Sequence, residues 1–403
     1  PIIIKILPSL LTILAVNKAV KNLPVALIAG SLLLAFWSGH SIPAIAEIAW
    51  KRFFSVDNGL LVLVIALVIW LSSLMDKTRL MQDLVSNIRS LLSPRMAIAV
   101  LPAVIGLLPM PGGALFSAPL VEDVDEKKEL PPLEKTRVNY WFRHVWEYTW
   151  PLYPGMILAA DISGLEIWQI FIVGIPMVAT MITAGYIFIL RRVHLSPAEK
   201  GASEHHILEL MTPVIIVVLT YAGVTIFLPP LHEISKYLPM AIGLILATVY
   251  LGLRRPVAGK DWKEILLSRR ALNMVIIVVL VRIYGAFIEA RLPGGALLME
   301  QMRQELHSMG IPVLLLMMFI PFLSGFTTGV SVGFVGASFP IIFSLIGKDP
   351  TMWQLLGGLV IGYPFGFSGT MLSPVHVSLI VTNEYFGSKL GPTLVSLIPP
   401  SLV

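Results

Sequence analysis

The sequence has no cysteine among its 403 residues. Disulfides, thiolate metal sites and cysteine nucleophiles are therefore excluded. Charge is also scarce. Asp, Glu, Lys and Arg make up 13% of the chain and hydrophobic residues 56%, where an ordinary soluble domain is about 25% charged. That balance excludes a disordered, fibrous or ordinary soluble protein. There is no Walker phosphate loop, no His-Glu-x-x-His zinc spacing and no Gly-x-Ser-x-Gly elbow, so transport driven by ATP within this chain is not expected. The net charge of +5 reads as loop lysines and arginines that set membrane orientation. Nucleic acid is not an expected partner.

Long apolar runs fill the chain instead. One crossing needs about 20 apolar residues, so the length holds about ten spans. Runs occur near Ile3–Val16, Leu23–Trp37, Gly59–Leu74, Trp150–Ala160, Ile167–Leu190, Leu208–Leu228, Pro239–Leu253, Leu272–Ile288 and Trp353–Val381, with a last one from Thr393. Two further stretches, about 96–121 and 312–346, are broken midway by Gly, Pro, Ser and Thr. If these are re-entrant hairpins, 21 of the 29 Lys and Arg fall on one side and 7 on the other, with Arg282 inside a span. The positive-inside rule makes the first side cytoplasmic. Segments Ile45–Phe54 and Trp262–Arg270 read as short interfacial helices.

The two halves align at a shift of about 213–221 residues. Leu23-Pro24 matches Leu238-Pro239, Asp76 matches Glu289, Pro94 matches Pro312, Pro119 matches Pro340 and Pro154 matches Pro374. The expected fold is all-α integral membrane. It has two inverted-topology repeats, 1–193 and 207–403, joined by a polar linker, 194–206. Each repeat carries one re-entrant hairpin and one partly unwound helix. Paired broken segments in an inverted repeat point to a secondary transporter with a midplane site.

The hairpin tips supply the candidate site. Gly112, Gly113, Ala114 and Ser117 lie at the first. Thr327, Thr328, Gly329 and Ser331 lie at the second. Gly and Pro leave backbone groups unpaired, which the bilayer tolerates only where they line a cavity. Freed carbonyls and hydroxyls there can hold Na⁺, and helix N-termini attract anions. Tight packing by small residues explains one such segment equally well, but not two at matched places. Ser368, Thr370, Ser373 and His376 add hydroxyls and a titratable ring. Arg282, in an apolar span, is a candidate for an anionic solute or for an ion pair with another helix. Glu289 and Asp76, at matched span ends, are candidates for ion coupling. Arg143, His144 and Glu147 read as a gate network or a solvated helix face.

On Leu108–Pro119, Asn139–Pro154 and Gly369–His376 the chain resembles the membrane family called domain-of-unknown-function family 401. That family is similar to carriers of the ion-transporter superfamily for gluconate, citrate, C4-dicarboxylates and arsenite. The resemblance implies inverted repeats, a homodimer and an elevator mechanism. The Asn of the dicarboxylate branch's Ser-Asn-Thr motif is absent at Gly113-Ala114-Leu115 and Thr327-Thr328-Gly329.

The expected function is ion-coupled secondary transport of a small anionic, carboxylate-like solute in the inner membrane of a prokaryote. No cofactor is expected beyond Na⁺ or H⁺ as coupling ion. A Na⁺/H⁺ antiporter or inorganic ion carrier is the alternative within transport. A lipid-modifying intramembrane enzyme using His144, Glu147 and His376 is the alternative from another class.

Overall fold

The computed structural model describes residues 3–107, 113–196, 207–347 and 349–403. The architecture is all-helical, with no strand among the described residues. The first half runs α1 (Ile3–Val20), α2 (Leu23–Trp37), α3 (Ile42–Phe53), α4 (Val56–Lys77), α5 (Leu80–Leu91), α6 (Pro94–Gly106), α7 (Ala114–Val124), α8 (Pro132–Arg143), α9 (Pro154–Ser163) and α10 (Ile167–Phe188). The second runs α11 (Ile207–Phe227), α12 (Pro229–Ile234), α13 (Leu238–Arg254), α14 (Gly259–Leu266), α15 (Arg269–Glu289), α16 (Leu298–Ser308), α17 (Val313–Thr328), α18 (Ser331–Ile346), α19 (Met352–Met371), α20 (Val377–Phe386) and α21 (Leu390–Ser401).

Local chemistry sets many of these boundaries. Asn22 accepts a bond from the Val25 amide and Pro24 follows, which starts α2. Thr351 and Gln354 form a reciprocal capping box at the head of α19, satisfying two N–H groups that the helix start would otherwise orphan. Gly329 ends α17 in the left-handed region at φ +63°, a conformation that glycine adopts without a Cβ clash.

Among the described residues, four stretches are helical, long and apolar enough to cross a membrane: Val56–Lys77, Ile167–Arg192, Leu208–Phe227 and Gly259–Glu289. α16 and α17 together pass the same test but are bent by 114°. Helices α2, α6, α9, α13 and α18 are apolar but shorter. The predicted interfacial segments are short helices with lopsided polarity, α3 and α14. Two more of that kind, α5 and α16, precede the broken stretches.

The helices form two compact units, each drawn from both halves of the sequence. The first comprises Pro1–Gly59, Tyr153–Met177 and Val275–His376. Within it α1 packs on α2, α17 packs on α18 and α19, and α9 lies against α18. The second comprises Leu60–Leu152, Val178–Met274 and Val377–Val403. Within it α11 packs on α13, α6 packs on α7 and α8, and α20 lies against α7 and α8. The chain leaves one unit for the other between α8 and α9, and again between α19 and α20.

Candidate functional site

In the first unit the break between α17 and α18 meets the break between α19 and α20. A Cβ on Gly329 would come within 2.9 Å of the His376 amide nitrogen and 3.1 Å of Ser373 Oγ. Ser373 Oγ donates to the Phe326 carbonyl at 2.6 Å, which ties the unwound stretch to the end of α17. His376 is buried, with Nδ1 3.3 Å from the Thr370 carbonyl. α19 stays helical through Met371, so Ser368 and Thr370 sit on helix and only Leu372–His376 is unwound. From the other side comes α9, whose Gly155 lies so close that a Cβ there would stand 2.8 Å from Ser331 Cβ.

Two glycines hold the helices at this spacing. A Cβ on Gly325 would overlap the Gly366 carbonyl oxygen, and one on Gly369 would overlap the Phe322 carbonyl oxygen. α17 and α19 therefore touch backbone to backbone, the close approach that small residues permit in membrane helices. The threonine hydroxyls turn back on their own helices. Thr327 donates to the Leu323 carbonyl and Thr328 to the Ser324 carbonyl, each at 2.7 Å, and Thr370 donates to the Gly366 carbonyl at 3.1 Å. Their oxygen lone pairs remain as acceptors.

Arg282 and Asp161 also belong to the first unit. Arg282 Nη1 donates to both carboxylate oxygens of Asp161, at 2.7 and 2.6 Å. Both side chains are largely buried, at 12% and 4% exposure. The arginine found within a span thus has its partner on α9. Asp161 escaped the sequence reading because it is the first residue beyond the apolar run that ends at Ala160. Glu289 lies instead at an exposed end of α15, paired with Arg52. We expect Glu289→Gln to change stability by less than about 1 kcal/mol, the scale of a surface pair. Thermal unfolding in detergent checks this.

In the second unit, α6 is described to its end and α7 from its cap, Gly113; Gly112 lies outside the described residues. Ala114 and Ser117 are fully buried at the head of α7. Ser117 Oγ lies 3.4 Å from the Gly113 carbonyl. Arg143 fills the notch between the two arms. A Cβ on Gly106 would overlap its carbonyl oxygen, and a Cβ on Gly113 would overlap its guanidinium. Arg143, His144 and Glu147 are all buried, so of the two readings open for them, gate network or solvated helix face, the solvated face does not hold. His144 Nδ1 lies 2.6 Å from the Tyr140 carbonyl, and its Nε2 lies 4.0 Å from Glu147. Arg270 interacts electrostatically with Arg143 and with Asp76, which is half-buried at the end of α4.

α8 is where sequence reasoning fell furthest short. Its sequence is polar, yet every residue from Lys135 to Arg143 is buried. Its charges are met within the unit. Lys135 pairs with Glu122 at 3.0 Å and Asp125 at 2.8 Å. Arg137 pairs with Glu134 at 2.8 Å and donates to the Phe188 carbonyl at 2.7 Å. Asn139 donates to Thr382 Oγ1 at 3.2 Å.

A cavity of about 960 Å³ opens at the other end of α17, lined by Arg303, His307, Met317, Ile346 and Gln354 among others. None of the predicted site residues lines it. Among the described residues no three His, Asp or Glu side chains group to hold a metal ion.

The fold is shared with a solved protein. The structure of the YdaH transporter of Alcanivorax borkumensis superposes with a TM-score of 0.60 over 90% of this chain and 86% of that one, at 13% identity. No curated protein matches the sequence. The family match runs over residues 4–403. The chain belongs to the family described as Protein of unknown function (DUF401).

Proposed function

We propose that this is a multi-pass secondary active transporter of a small carboxylate-like organic anion. It is coupled to Na⁺ or H⁺ and works by alternating access of elevator type, as a homodimer in the inner membrane of a prokaryote. In this reading 1–193 and 207–403 are inverted repeats, 194–206 joins them, and α6–α7 and α17–α18 are re-entrant hairpins.

The observation that carries the reading is the duplicated interruption. α6 and α7 have 13 and 11 residues, and α17 and α18 have 16 each. At 1.5 Å per residue these arms are roughly 17–24 Å long, short of the roughly 30 Å hydrocarbon core. Each pair is followed by a second broken pair, α8–α9 or α19–α20. Element order supports the repeat, since α1 to α10 correspond in sequence to α11 and α13 to α21. A fold held in common with a transporter adds to it. Irregular backbone at Gly329 and at Leu372–His376, where Ser373 and His376 are buried, is the kind that the bilayer tolerates around a ligand.

Flux into proteoliposomes tests the proposal. Under an imposed Na⁺ or proton gradient, uptake of at least one member of a carboxylate panel is expected. Gly113→Leu and Thr328→Leu are expected to abolish it. No uptake of any member overturns the carboxylate reading, and unchanged flux in both variants overturns the site. One observation favours a second reading as ion antiporter: Asp161 is a buried carboxylate on a short apolar helix. Gradient-driven Na⁺ or H⁺ exchange with no carboxylate present would support it.

A further inference from the structure

The cavity at the start of α17 is no part of the proposed transport site. It lies wholly within the first unit, between the ends of α16 and α18 and the starts of α17 and α19. α16 meets α17 at 114°. Leu298, Met302 and Leu306 recur every four residues along α16 and are fully buried. Arg303, Gln304, His307 and Ser308 are exposed on the same helix and line the cavity. The lining from the other helices is mostly apolar: Val313 and Met317 from α17, Leu345 and Ile346 from α18, Gly357 and Ile361 from α19. Polarity is therefore sorted along the cleft, with the charged end at α16. At about 960 Å³ the space lies at the upper end of small-molecule sites, about 300–1,000 Å³, and exceeds what an inorganic anion fills.

Arg303 and His307 are the titratable side chains of the lining, and no Asp or Glu lines it among the described residues. Four residues apart on a helix, they share one face. Arg303 reaches the end of α18, where a Cβ on Gly347 would stand 3.0 Å from Nη1. No carboxylate pairs with it among the described residues. Gln354 Oε1 accepts from the Thr351 amide at 2.9 Å, which leaves its NH2 group as a donor. A positive, donor-rich rim over an apolar floor matches an amphiphile with an anionic head. Phosphate suits the guanidinium fork, and basic pockets between membrane helices bind lipid head groups. Gly357 keeps the floor clear, since a Cβ there meets nothing within 4 Å. Leu314, Leu315 and Phe319 are exposed on α17, so an acyl chain leaving the cleft stays on apolar surface. We propose that this cleft holds an anionic phospholipid. Arg303 grips the phosphate, with His307 and Gln354 beside it, and an acyl chain lies along Met317, Gly357 and Ile361. The bound lipid braces the bend between α16 and α17. This rests on the chain lying in a membrane and not on which solute it carries.

The test uses the full chain in a neutral detergent, with phosphatidylglycerol or phosphatidylcholine of the same acyl chains added at equal concentration. Bound lipid is counted by native mass spectrometry. Phosphatidylglycerol is expected to be held at least about tenfold more tightly, the scale of one charge-assisted contact. Arg303→Gln is expected to remove that preference. Gly357→Leu, which puts a side chain on the floor, is expected to lower phosphatidylglycerol to the phosphatidylcholine level. Arg291→Gln, exposed and bonded to the Gly295 carbonyl, serves as the control and is expected to change nothing. Glycerol phosphate, a head group without chains, is expected not to compete at the same concentration. Thermal unfolding checks that each variant folds. If Gly357→Leu does not, phosphatidylglycerol with a photoreactive acyl chain is applied to the unaltered protein and is expected to label 313–317 or 354–361. The proposal is overturned if the two lipids bind equally, or if Arg303→Gln or Gly357→Leu leaves the preference unchanged. Loss of the preference in Arg291→Gln, or chain labelling confined to other segments, overturns it too. Competition by glycerol phosphate as strong as that of the lipid would overturn it in favour of a soluble phosphate.

Discussion

Replacing Asp161 with asparagine is expected to destabilise the folded protein by about 3–5 kcal/mol, the scale found when one partner of a buried ion pair is removed. The guanidinium of Arg282 would then sit 12% exposed on an otherwise apolar helix, with its counter-charge gone. An unpaired charge in hydrocarbon surroundings is costly. Asparagine preserves the shape and removes only the charge, so lost packing does not contribute. Pairing the change with Arg282→Gln removes both charges and is expected to recover most of the loss. Thermal unfolding of the four proteins in one detergent makes the comparison. Equal stability of Asp161→Asn and the unaltered chain would show that the pair is dispensable for the fold.

Gly325→Ala is expected to cost at least about 3 kcal/mol, the upper end of overpacking penalties, and to remove transport. The added methyl would overlap the Gly366 carbonyl oxygen and stand 2.8 Å from the Thr370 amide nitrogen. Both obstacles are backbone, so no rotamer change relieves them. α17 and α19 must move apart. That motion shifts Ser373, whose hydroxyl holds the Phe326 carbonyl at 2.6 Å, and with it the seat of Gly329. Gly369→Ala meets the Phe322 carbonyl oxygen and is expected to behave alike. Gly357 has open space around its Cβ position, so Gly357→Ala is expected to be tolerated. Loss of activity in all three would argue against the packing explanation.

The apolar runs and the places where they fail are readable from the residues alone, because hydrocarbon allows few alternatives. The break at Gly329 is of this kind, and so are α3 and α14, whose lopsided polarity separates them from spans. What escapes is burial achieved by pairing across the chain. α8 carries Lys135, Arg137 and Arg143 and falls outside the apolar runs, yet Glu122, Asp125 and Glu134 pair with Lys135 and Arg137, and Gly106 and Gly113 make room for Arg143. Asp161 and Arg282 are far apart in sequence, so neither announces the other. The Gly- and hydroxyl-rich run that includes Ser368 and Thr370 does not itself mark where the helix unwinds. The helix persists through Pro364 to Met371, and the interruption falls instead at Leu372–His376.

In the proposed transporter the break at Gly329–Ser331 lines a route that opens to each side of the membrane in turn. A chain without cysteine allows a direct measurement. Ser331→Cys, reconstituted in known orientation, is treated with a membrane-impermeant maleimide from one side and then from the other. Labelling from both sides, with the balance shifted by a bound carboxylate, is the expected result. Labelling from one side alone, unmoved by any carboxylate that binds the protein, would contradict it.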